Sequence, residues 1–436
     1  MREEELLGIL ADWNFWGGGA DTGIGRATYL TKIVELLKDT NIVAEIGARR
    51  SGKSYIARQV LGAFIEKGMA RESTLVIDIN DERFQKDESL LSSVYLAYKK
   101  NVNPSSNTII VIDEPQELKG WERFVRGVSE RNEAKFIITG SSSKLLSSEF
   151  SALLGGRHIT LRVWPLSFRE SLEFEGIDIA SKLGMAKNRA KVSLLLDRYI
   201  TRGGFPAVAL ASSQKNIADL LNSYLDTILV KDIAIRYGIR NEGNLRTLAK
   251  FYLTNIGHLI TYNSISKFTK LPVKTVERFS DCIEDAFLLF FVKRFSFSVK
   301  EQENSPRKVY AVDNGIAMAA GFNATIGKGA LIENVIATEL KRRNREFYYW
   351  RETQSGKEVD FVVKTGRGYE LVQACEAIGN PSTLERERGA LRVAMRRFKK
   401  RRATLIAYSM PADGVVEGLA KDGIAVKHLW RWLIEA

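Results

Sequence analysis

The chain has 436 residues, 45% of them hydrophobic, which exceeds the roughly 250–300 residues at which a single core stops growing and predicts roughly two to four domains. Its 65 Lys and Arg against 52 Asp and Glu leave a net charge of +13, which favours an acidic partner such as nucleic acid. Cys282 and Cys375 lie far apart and only three histidines occur, so a disulfide framework is excluded and no metal-ligand spacing is present. The longest strongly apolar run, Ala286 to Val292, falls far short of the roughly 18 residues of a membrane span. The opening MREEELLGILADW has no apolar signal core. A cytoplasmic protein with no membrane partner is expected.

Asp12 to Gly19 is an aromatic and glycine-rich lead-in, suited either to cover a nucleotide base or to pack the N-terminus, and a helix is predicted from about Gly25 to Lys38. The apolar run Ile42 to Ile46 then meets Gly47-Ala48-Arg49-Arg50-Ser51-Gly52-Lys53-Ser54 and a helical stretch. Strand, glycine-rich loop and helix form the setting of a phosphate loop, in which backbone N–H groups wrap a polyphosphate. Lys53 is placed to reach the outer phosphates of ATP and Ser54 to hold Mg²⁺.

Ser73 to Ile79 reads as a second buried strand and Thr108 to Ile112 as a third, ending in Asp113-Glu114. An apolar strand delivering an acidic pair gives a metal support in Asp113 and a water-polarising base in Glu114. The fourth strand, Lys135 to Thr139, is expected between the loop and the acidic pair, with Thr139 sensing the terminal phosphate and Ser141 the second choice. A strand from His158 to Val163 follows Arg157, which suits either an arginine finger, in the same subunit or a neighbouring one of a homo-oligomer, or a structural ion pair.

The segments IGARRSGKS, VIDEPQ, FIITGSSSKLL, LLGGR, WPLSFRE and RGGFPAV, with VYAVDNGIA, EVDFVV and HLWRWLI further on, occur in that order across nearly the whole chain. Together they resemble the AAA-type ATPases of archaea and bacteria that carry a C-terminal nuclease-like domain of unknown function. The resemblance implies a multidomain α/β protein: a P-loop NTPase core over 1–165, a helical lid over 166–240, a winged helix over 241–320 and a restriction-endonuclease-like domain over 321–436.

The residues of the later segments agree with that layout. From Ser167 to about Arg240 the pattern is helical, interrupted at Gly203-Gly204-Phe205-Pro206. From Gly257 to Val312 three helices and a hairpin are predicted, with a polar tip at Gln302 to Ser305. Lys270, Lys274 and Arg278 would face a DNA groove, although winged helices also serve as protein interaction modules.

In nucleases of the terminal fold, Asp and Glu hold Mg²⁺ and a Lys two residues beyond the Glu positions water. Here Glu333 and Asp360 offer a partial metal site, while Gln373 and Cys375 stand where Glu and Lys belong. Strand alternation puts Lys364 on the same face as Asp360, leaving a relocated lysine open. Between Arg386 and Arg402, Leu391, Met395 and Phe398 should face the core, and Arg388, Arg392 and Arg396 form an outward basic stripe suited to DNA phosphates or to solvent.

The sequence therefore predicts an Mg²⁺-dependent ATPase that binds DNA through its C-terminal half. Its rivals are an ATP-gated nuclease and a signalling-type switch acting on a protein.

Overall fold

The computed structural model describes residues 1–143, 152–179, 184, 187–321, 326–366 and 368–435. Lys144-Leu145-Leu146, the end of one resemblance segment, lies outside the described residues. The chain divides into two compact units, 1–163 and 164–436.

Continuous apolar runs in the first unit become a parallel sheet covered on both faces. Its strands are β1 (Ile42–Ile46), β2 (Thr74–Asp78), β3 (Thr108–Asp113), β4 (Ala134–Gly140) and β5 (His158–Arg162). All pair in parallel, in the order β2-β3-β4-β1-β5. The strand entering the phosphate loop and the strand bearing the acidic pair are thus separated by β4, which is where the sensor strand was expected. Helices Ala27–Asp39 and Lys53–Glu66 bury Ile33, Leu37, Ile56 and Val60 against Val43, Val111 and Ile137. Each such side chain contributes about 1.5–3 kcal/mol, so the helix that begins at Lys53 is anchored along its apolar stripe.

In the second unit, helices Phe168–Phe174, Arg189–Arg202 and Gln214–Thr227 precede three more helices, Glu242–Thr254, Tyr262–Thr269 and Val273–Asp285. With the latter three goes an antiparallel sheet of β6 (Leu259–Ile260), β7 (Leu289–Val292) and β8 (Arg307–Ala311), ordered β6-β8-β7. The expected polar tip between β7 and β8 contains a helix, Val299–Asn304, whose first turn is capped by the Ser298 side chain.

A five-stranded sheet, ordered β13-β12-β11-β10-β9, completes this unit. β9 (Phe347–Arg351), β10 (Glu358–Thr365) and β11 (Gly368–Ala377) are antiparallel; β12 (Ala403–Ser409) and β13 (Ile424–His428) add in parallel. Helices Lys328–Arg342 and Pro381–Arg397 belong to this part of the chain. Two resemblance segments meet here, since Gly204 donates its N–H to Asp313 at 2.6 Å and a Cβ on Gly203 (φ +76°) would lie 1.9 Å from an Asp313 oxygen. Among the described residues no helix is long and apolar enough to cross a membrane.

Candidate functional site

Gly47 ends β1 with φ +155°, and a Cβ there would lie 2.0 Å from the Val163 carbonyl oxygen. Gly52 has φ 97° and caps the helix that starts at Lys53. The loop between them therefore turns tightly onto a helix N-terminus, as an anion cradle requires. Ala48 and Ser51 are buried, Arg49 is half-buried and Arg50 is exposed with φ 68°. The Lys53 ammonium is folded back onto this loop, donating to the Gly47 and Ala48 carbonyls at 3.0 and 3.1 Å. Inside the loop the buried Ser51 hydroxyl has no hydrogen-bond partner. A glycine-framed loop with a buried lysine and an orphaned hydroxyl fits a polyphosphate.

β3 brings its acidic pair beside this loop. Asp113 accepts a hydrogen bond from Ser54, so the hydroxyl and carboxylate that would share Mg²⁺ are already adjacent. Thr139 is fully buried opposite Asp113 in the β3-β4 register, and its hydroxyl donates to the Asp113 carboxylate. Burial, then the charge of Asp78, raises the Asp113 pKa against these two hydrogen bonds and the charge of Lys53. A bound cation would offset that cost.

Glu114 leaves the strand in the left-handed region at φ 55°, a conformation costing about 1–3 kcal/mol for a residue with a side chain. The turn is held by two contacts from Glu114 N to Thr139, at 3.2 Å to its carbonyl and 3.3 Å to its hydroxyl. It carries the carboxylate to within 4.0 Å of the Lys53 ammonium. Ser141, the second choice for a sensor, instead donates N–H and hydroxyl to Glu114 at 3.2 and 3.0 Å, and so orients its carboxylate.

Glu45 was missed by sequence reasoning. It is fully buried on β1, in register with Thr139, and neither carboxylate oxygen has a hydrogen-bond partner. Burial drives its pKa well above the ordinary value, aided by Asp113 and opposed by Lys53 and Arg26. An acid inside the otherwise apolar run IVAEI was the available signal. Arg157 is exposed and stands 3.6 Å from Glu130, a surface ion pair.

In the second unit, the partial metal site is assembled differently from its expectation. Glu333 and Asp360 do converge, but on the ammonium of Lys308 from β8, at 2.9 and 3.0 Å, with Glu358 joining at 2.6 Å. Burial would lower the Lys308 pKa; Glu333, Tyr310, Asp360 and Glu358 outweigh it and hold the ammonium charged. Burial and then the charge of Asp360 push Glu333 upward.

Gln373 cannot replace the missing Glu, because its oxygen accepts the Asp360 N–H at 3.2 Å and its NH₂ donates to Glu387 at 2.7 Å. The Cys375 thiol is pushed up to about 11 by burial, then by Glu387, and stays protonated at neutral pH. Lys364 is not the relocated lysine. A bulge between Val359 and Val362 puts both of those residues in one core cluster and inverts the alternation, so Lys364 points to the surface and pairs with Glu346 at 2.8 Å. Among the described residues no group of three or more His, Cys, Asp and Glu is placed to hold a metal.

Of the DNA candidates, Lys270, Lys274 and Arg278 are exposed, Arg278 also donating to the Tyr237 carbonyl at 3.1 Å. The helix Pro381–Arg397 buries Leu391 and packs Met395 and Phe398 against the core, as its spacing predicts. Its basic face is less bare than the sequence implies, because Asp422 binds both Arg388 and Arg392, the latter at 2.6 Å. Arg396 is exposed and leans toward the Arg392 carbonyl at 3.4 Å.

Residues 39–172 match the family model described as an AAA domain. Residues 193–326 and 328–376 match two models described as domains of unknown function. The chain is similar to an uncharacterized protein of Methanocaldococcus jannaschii, 27% identical over 424 residues that cover 93% of this chain and 91% of that protein. It is similar also to an uncharacterized protein of Haemophilus influenzae, 29% identical over 347 residues, or 78% and 84% of the two chains. Among solved structures, the Walker-type ATPase of Pyrococcus abyssi aligns over 68% of this chain and 95% of that one, with 14% identity and a TM-score of 0.40.

Proposed function

We propose, from the premise that the chain belongs to the AAA-type P-loop ATPase family with C-terminal regions of unknown function, that it hydrolyses ATP with Mg²⁺ and uses the nucleotide to change the conformation or assembly of a DNA-binding C-terminal half. The observation that carries the ATPase reading is the meeting of Lys53, Ser54, Asp113, Glu114 and Thr139 at the ends of β1, β3 and β4. Bound Mg²⁺ would supply charge neutralisation on the terminal phosphates, held by Ser54 and Asp113. Lys53 gives up its loop carbonyls for phosphate oxygens, a stronger, charge-assisted contact. Glu114, held by Ser141, orients the attacking water, and Thr139 links Asp113 to the backbone of Glu114. Arg157, exposed and loosely paired, joins the proposal as the group that completes the site in a neighbouring copy.

DNA contact is assigned to Lys270, Lys274 and Arg278, which share an exposed turn and helix, with Arg396 as a further phosphate contact. Cutting of DNA is disfavoured by the absence of the usual Glu and Lys and by the position of Lys308. The test is ATP binding and turnover in Glu114→Gln. The reading expects nucleotide binding retained and turnover reduced roughly 10²–10⁴-fold, the usual scale for a general base. Unchanged turnover would remove Glu114 from the reaction.

A further inference from the structure

In the second unit, a lysine ammonium stands at the point where the nuclease-like reading puts a metal ion. We infer that Lys308 is the resident cation of the Glu333–Glu358–Asp360 cluster, replacing a divalent metal and fixing the β6-β8-β7 sheet to the sheet formed by β9 to β13.

Geometry carries the inference. Lys308 is only 2% exposed although it sits on a strand whose neighbours Val309, Tyr310 and Ala311 are buried apolar residues. An ammonium has three donors; Lys308 donates hydrogen bonds to Glu333 at 2.9 Å and Asp360 at 3.0 Å, and Glu358 stands as a third carboxylate at 2.6 Å. Those carboxylates come from two places in the sequence: Glu333 from the helix Lys328–Arg342, and Glu358 and Asp360 from the start of β10.

Two of these carboxylates are held by further donors. The Glu333 oxygen that meets Lys308 also takes the Tyr310 hydroxyl at 2.6 Å, and the second Asp360 oxygen takes the Ala374 N–H at 3.1 Å. Mg²⁺ demands oxygens at about 2.0–2.1 Å in near-octahedral array and retains several waters. The ammonium fills the point on which these oxygens converge, and Gln373 and Cys375 add no anionic ligand. Replacing the metal by a lysine also changes what the cation does. A metal exchanges with solvent, whereas a lysine is tethered to β8 and makes the cation part of the fold.

The cluster borders a cavity of about 670 Å³, whose wall also includes Lys357, Arg386 and Glu387. Solvent and small ions can therefore reach the carboxylates, and exclusion of a metal rests on occupancy by Lys308 rather than on lack of access.

The experiment is Mn²⁺ titration, followed by electron paramagnetic resonance, of the nucleotide-free full chain. Ser54→Ala is present throughout to weaken the separate phosphate-loop site. The expected result is that adding Asp360→Asn to this background leaves the Mn²⁺ stoichiometry unchanged. Lys308→Met should gain one equivalent of Mn²⁺, with affinity on the order of ten-fold or more above the background, and lose it again when Asp360→Asn is added. Lys308→Arg, which keeps the charge, should gain none. Loss of one equivalent on adding Asp360→Asn while Lys308 is present would overturn the inference, as would a folded Lys308→Met that gains no Mn²⁺. Should Lys308→Met not fold, the Asp360→Asn comparison decides alone.

Discussion

Two lysines, one in each unit, are buried beside carboxylates, and the difference between their surroundings separates a site that can exchange ligands from one that cannot. Lys53 bonds to neutral carbonyls of a glycine-framed loop and stands 4.0 Å from the Glu114 carboxylate. Lys308 is gripped by three carboxylates at 3.0 Å or less. A phosphate can displace carbonyls because it offers a full negative charge in place of partial ones. Nothing comparable is on offer to Lys308, whose partners are already charged. On the proposed reading, the same residue type serves as a phosphate hook in one place and as a fastener in the other.

The comparison breaks first at the fastener. Lys308→Met should destabilise the second unit by about 3–5 kcal/mol, the usual cost of leaving buried charges uncompensated; a denaturation midpoint like that of wild type would show the cluster to be dispensable. Next comes the phosphate site, where Glu114→Gln should lose turnover as stated above while Lys308→Arg leaves it unaltered. Thr139→Ala should lower kcat by about ten-fold, near 1.4 kcal/mol of barrier, with nucleotide affinity kept. Equal losses in kcat and affinity would make Thr139 a structural residue instead.

A smaller effect should be visible at Glu45, which faces Lys53, Asp113 and Arg26. Its folded pKa lies above its ordinary value of 4.5. Above that value the folded state holds a proton that the unfolded state has released, so this group's contribution to stability declines as pH rises through the folded pKa. Glu45→Gln removes the decline, and its melting temperature relative to wild type should increase from pH 5 to pH 8. A difference independent of pH would mean that Glu45 is ionised in the folded protein. The smallest effects are expected on the surface. Lys274→Ala should weaken DNA binding and reduce its salt slope by about one, whereas Arg388→Ala, whose charge is already met by Asp422, should change it less.

The candidate phosphate site was legible because its residues are local. Loop spacing, the acidic pair and the sensor strand each occupy a few consecutive residues, and the strand order then brings them together. What the sequence left hidden depended on distant partners. Asp422, which neutralises Arg388 and Arg392, lies 34 and 30 residues beyond them. Lys364 looked aligned with Asp360 until a bulge reversed the strand's facing. Lys308 falls in the returning strand of the predicted hairpin and was given no role, although a lysine within an apolar strand is itself a sign of a buried, partnered cation. The strands β12 and β13 were not predicted, since the apolar run of β12, Leu405 to Ala407, is short and follows directly on the basic stretch ending at Arg402.

The central claim is that the loop at Gly47 to Ser54 serves hydrolysis, and phosphate release from ATP by wild type and Lys53→Ala, with and without Mg²⁺, tests it most directly. The account predicts Mg²⁺-dependent release by wild type and a loss of at least about 10²–10³-fold in Lys53→Ala, the scale for removing a preorganised charge-stabilising group. Release by Lys53→Ala at the wild-type rate, or none by wild type under any condition with or without DNA, would contradict it.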